Sequence, residues 1–134
     1  MATIFVATSK SLQAWGSDVG LTKHLFKVDI TEDTADAMVA RMNADRHGGR
    51  QDWTLLKAET TEKTPEEALA KISTRETAVD PLYYPQIKGA GGIFKVKPTN
   101  AENHFFIESA LAGRERKAKR VSPAEIATYL LRNA

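Results

Sequence analysis

The chain has 134 residues and 14.8 kDa of mass, 42% hydrophobic and 27% charged residues, and no cysteine. That length suffices for one domain with its own core, and the composition is that of a globular protein rather than a disordered or fibrous one. The missing cysteine excludes disulfide frameworks, thiolate zinc sites and cysteine nucleophiles, and the formal net charge of only +2 excludes a uniformly basic surface.

The first elements read as strands. Ile4, Phe5 and Val6 form a short β-type run, and Phe26, Val28 and Ile30 alternate with Lys27 and Asp29 at strand spacing. Between them, Gln13 to Gly20 holds turn residues and two glycines, which predicts a long hairpin connection with Trp15 at its tip or folded inward. The opening residues lack a basic leader and their apolar run is short, so a cytoplasmic protein with no membrane span is expected.

Asp33 is placed to cap a helix whose apolar positions Ala35, Met38, Val39 and Met42 share one face, and Gly48-Gly49 is placed to stop it. A third strand follows with Trp53, Leu55 and Leu56. Thr64-Pro65-Glu66-Glu67 then supplies a capping threonine, a proline at the first helical position and acidic residues in the first turn of a helix that buries Leu69 and Ile72.

Asp80 to Pro85 carries two prolines around Tyr83 and Tyr84 and predicts a loop that Gly89-Ala90-Gly91-Gly92 continues. Ile93, Phe94 and Val96 resume strand character. Beyond Pro98, Thr99 or Asn100 is placed to cap a helix carrying Phe106, Ile107, Ala110 and Leu111, which Gly113 ends. Ser122-Pro123-Ala124-Glu125 is a capping box ahead of a C-terminal helix with Ile126, Tyr129 and Leu130 on one face. The expected fold class is α+β: a small, mostly antiparallel sheet of three or four strands flanked by helices. Residues 1–112 form the compact part, and the basic segment and terminal helix of 113–134 pack on the same domain.

Chemistry is sparse in the motifs. The glycine run is followed by a strand and by no Lys-Ser/Thr pair, so it reads as a turn rather than a phosphate loop. His24, His47 and His104 lack metal-ligand spacing, and no strained Gly-x-Ser-x-Gly turn presents a serine. Charge is the stronger signal. Arg114, Arg116, Lys117, Lys119 and Arg120 against Glu115 give residues 114–120 a net +4, leaving −2 for the rest of the chain.

The order of elements, with Lys27-Val28-Asp29-Ile30-Thr31 in the second strand and Gly91-Gly92-Ile93-Phe94 in the late turn, resembles the GIY-YIG nuclease superfamily, in particular its small phage and bacterial branch. That resemblance covers roughly residues 3 to 97. It implies a site with Ile4-Phe5 in place of the first tyrosine, Arg41 as the catalytic arginine and Glu66 as the metal-binding glutamate that would hold magnesium in an active enzyme.

The chain departs from the pattern: Phe5 lacks the hydroxyl, Lys27 stands for the second tyrosine, and Asp29 for a glycine. The helical wheel sets Glu66 and Arg41 at the edges of their apolar stripes, a position that suits either a shared cleft or boundary charges whose stems cover apolar surface. The leading expectation is therefore a nucleic-acid-associated module, degenerate at its catalytic tyrosines, that binds DNA or RNA backbone through Lys27, Arg41 and residues 114–120 without a cofactor. The alternative is a protein-interaction adaptor or inhibitor of phage or bacterial origin that uses Tyr83 and Tyr84 as anchors. A working magnesium-dependent phosphodiesterase built on Arg41 and Glu66 ranks third.

Overall fold

The computed structural model describes residues 2–21, 24–79, 84, 87, 91–113 and 121–134. The fold is α+β, as expected, but the sheet has five strands rather than three or four, all paired antiparallel in the order β3-β1-β2-β5-β4. β1 (Ala2–Ser9), β2 (Leu25–Thr31) and β3 (Trp53–Thr61) form the long centre, and β5 (Ile93–Lys95) extends it. The fifth strand, β4 (Thr77–Ala78), is two residues long and pairs Thr77 with Lys95 and Ala78 with Phe94. So short a segment leaves no alternation to read in a sequence.

Helices cover both faces, and the period of two along each strand sorts side chains between them. Ile4, Val6, Phe26, Val28 and Phe94 point to one cluster, closed by α3 (Pro65–Ser73), α4 (Pro98–Leu111) and α5 (Pro123–Arg132). Phe5, Ala7, Leu25 and Ile93 point to the other, closed by α1 (Lys10–Asp18) and α2 (Ala35–Ala44). α5 places Ile126, Ala127, Tyr129, Leu130 and Leu131 in the first cluster, so the C-terminal helix belongs to the main core.

α1 replaces the predicted hairpin connection. Leu12, Trp15 and Gly16 are buried at i, i+3 and i+4, and the Ser9 side chain caps the helix by accepting from Leu12 N. Asp52 steadies that cap from the start of β3. Its carboxylate accepts from Ser9 Oγ, from Ser11 N at 2.9 Å and from Ser11 Oγ at 2.7 Å. Those serine bonds outweigh the opposing desolvation and hold the Asp52 carboxyl down at about 2.

The other caps follow local chemistry. Thr64 and Ser122 cap α3 and α5 with proline in the first turn, and Ser122 with Glu125 completes the predicted capping box. Thr34, not Asp33, caps α2. Leu69 is only partly buried, and Ala68 takes the inward position beside Ile72.

The glycine-led strand has a backbone reason. Gly92 has φ +75, its carbonyl accepts from Val28 N at 2.8 Å, and a Cβ there would collide with the Val28 carbonyl oxygen. Only glycine tolerates both the conformation and the approach.

Candidate functional site

The site grows from one buried carboxylate. At the end of α3 the Arg75 and Glu76 amides both donate to the Ile72 carbonyl at 2.9 Å, and this turn sends Glu76 inward, 4% exposed. One carboxylate oxygen accepts from Lys97 N at 2.8 Å; the other accepts from Asn100 Nδ2 at 2.9 Å and from Tyr129 Oη at 2.7 Å. Lys97 is the N-cap residue of α4, whose side chain makes no capping bond. Glu76 supplies that cap from a distant element and sets a negative charge against the positive end of the helix. Neither Thr99 nor Asn100 caps α4 as expected, since the helix starts at Pro98 ahead of both.

Tyr129 ties α5 to the same carboxylate. Burial pushes its phenol above the ordinary value, and the hydrogen bond to Glu76 and the Glu76 charge push the same way. Above this network lies a cleft of about 530 Å³ lined by Arg75, Asn100, Asn103, His104, Ile107 and Tyr129 among others. The His104 ring stands edge-on to Tyr129 at 5.4 Å and to Phe105 at 5.1 Å, and its Nε2 lies 3.2 Å from a Glu108 carboxylate oxygen that Arg132 of α5 also holds. Arg75 is exposed at the rim and pairs with no carboxylate among the described residues.

On the outer wall of this cleft, α4 turns Ala101 and Phe105 to the core, whereas Phe106, Ile107 and Leu111 are 59%, 57% and 85% exposed. Phe105-Phe106-Ile107 is apolar on consecutive positions, so two different stripes fit a helical period. With its first turn bonded to Glu76, the helix sets Ala101 and Phe105 inward. Four apolar side chains, Phe106, Ile107, Ala110 and Leu111, thus stand in solvent along one helix face, and Ile107 also walls the cleft.

Of the residues singled out from sequence, few come together. Lys27 is 3% exposed on β2, its ammonium donating to the Gly91 carbonyl and standing 3.3 Å from Asp29. Burial lowers its pKa, and Asp29 only partly opposes this. It serves the glycine turn and presents no surface to a phosphate.

Arg41 on α2 is exposed and bonded to Asp33. Glu66 is exposed in the first turn of α3. Because α2 and α3 cover opposite faces of the sheet, Arg41 and Glu66 do not share the expected cleft. Tyr84 packs edge-on against Trp15 at 5.6 Å, on the α1 side of the core. Tyr83 and the basic residues Arg114, Arg116, Lys117, Lys119 and Arg120 lie outside the described residues.

No protein-family profile, curated protein or solved structure matches the chain. Among the described residues, no cluster of three or more histidines and carboxylates is arranged to hold a metal ion, and no helix is long and apolar enough to cross a membrane.

The Glu76 network makes a direct prediction. Tyr129→Phe removes one hydrogen bond to a buried charge, expected to cost about 2 kcal/mol in urea unfolding at pH 7. The raised phenol pKa gives stability that is complete below the unfolded value near 10 and is lost as pH rises through the folded value. The gap between wild type and Tyr129→Phe should therefore narrow above pH 10. Equal stability at pH 7 would remove Glu76 and Tyr129 from the account.

Proposed function

We propose that this chain is a protein-interaction module whose contact surface is the outer face of α4. The observation that carries the reading is the exposure of Phe106, Ile107 and Leu111 together on one helix. Single exposed apolar residues are ordinary, but a contiguous apolar stripe edged by polar residues is the usual mark of a binding surface. The stripe also borders a concave cleft, and anchors beside pockets are where interface energy concentrates. This is the adaptor reading with its anchors moved from Tyr83 and Tyr84 to α4. Tyr84, packed on Trp15, is better suited to a structural contact than to meeting a partner.

The test is site-specific photocrosslinking in the cells that make the protein, with a benzophenone side chain at position 106 and, as control, at exposed position 36 on α2. A discrete adduct from position 106 alone, lost when Ile107→Asp is added, is the expected result. No adduct, or the same adducts from both positions, would refute the reading.

A second reading is favoured by the net +4 of residues 114–120: a nucleic-acid-associated module related to the GIY-YIG resemblance and binding phosphate backbone through that run. Lys27, buried and paired, is not part of it. Fluorescence anisotropy with labelled DNA and RNA, titrated with salt, decides the matter. Binding that weakens with salt, and again when the five basic residues are changed to Ser, supports this reading; an absence of binding at low salt ends it.

A further inference from the structure

We propose that the groove formed by the α4 stripe and the adjoining cleft takes an acidic, apolar-anchored peptide segment of a partner protein, with one carboxylate seated on Arg75. The inference rests on the protein-interaction reading and names the chemistry of the partner.

Ile107 joins the two halves of the groove, since it belongs to the exposed stripe and also walls the cleft. A ligand that fills the cleft therefore touches the stripe. The acids around the cleft are already engaged: Glu76 is buried and accepts three hydrogen bonds, and Glu108 is held by Arg132. The charge left accessible at the rim is Arg75, whose planar donor fork matches a carboxylate. Asn103, exposed on the same wall, adds an amide to the polar lining.

A partner whose apolar residues lie along α4 gains from an acidic residue beside Arg75, a charged side chain of the cleft lining. A nucleic acid would satisfy Arg75 but leave Phe106, Ile107 and Leu111 without apolar partners.

A random linear peptide display library panned on the full chain, with counter-selection on the Phe106→Asp/Leu111→Asp double variant, tests this. The substituted residues are exposed, so the variant folds as wild type does, which a thermal melt verifies. Expected binders combine Asp and Glu with apolar residues; their affinity falls about tenfold on Arg75→Ala, as for loss of one charge-assisted contact, and is unmoved by Arg41→Ala.

Basic or uncharged binders, or acidic binders indifferent to Arg75, overturn the acidic partner and leave the α4 docking reading standing. Absence of any enrichment against the double variant overturns both. Self-association in sedimentation that the double variant abolishes overturns the proposal in favour of a second copy.

Discussion

The architecture on the α3-α4-α5 side depends on the buried carboxylate of Glu76. An ionised carboxylate in a protein interior is expensive unless its lone pairs are taken up, and here they are met by a backbone amide, a side-chain amide and a phenol from two other helices. Each donor fixes a different relation: Lys97 N and Asn100 the start of α4, Tyr129 the position of α5. With α4 clamped at its first turn, its rotation about its own axis is no longer free to follow hydrophobicity. The helix sets Ala101 and Phe105 against the core and carries Phe106, Ile107 and Leu111 outward. The polar contacts at one end of α4 thus go with the apolar surface on which the functional reading rests.

The opposite face of the sheet is organised differently. Lys27 and Asp29 sit in a mostly apolar layer, where the lysine is bound to the Gly91 carbonyl and the aspartate, so polar groups there hold the glycine turn. The close approach of Gly92 to Val28 belongs to the same junction. Tyr84 meets Trp15 edge-on in an aromatic contact on the same side. The charged residues of this layer therefore have structural partners, and Arg41 and Glu66 are kept apart by the full thickness of the sheet and its helices.

What could be read from the sequence was what local chemistry determines. Thr64-Pro65 and Ser122-Pro123 mark helix starts because cap and proline act within one turn, and both starts are where expected. Where an element depends on a distant partner, sequence reasoning failed. The α1 cap is completed by Asp52, 43 residues away from Ser9, and two glycines hid the helix. β4 exists only through its pairing with β5. Alternation made Lys27 look like the wet face of a strand, but β2 lies inside the sheet between β1 and β5 with helices on both sides.

The candidate site was the least legible part: Glu76 carries no motif, and the choice between Phe105 and Phe106 as the inward residue is made by a bond to a glutamate on another element. The most direct measurement of the central claim, that the apolar stripe of α4 faces solvent, is fluorine NMR of protein carrying fluorophenylalanine, with a soluble gadolinium chelate as a probe of exposure. The account predicts strong broadening of the Phe106 resonance and little of Phe105, which is 9% exposed. A Phe106 resonance as protected as that of Phe105 would contradict it.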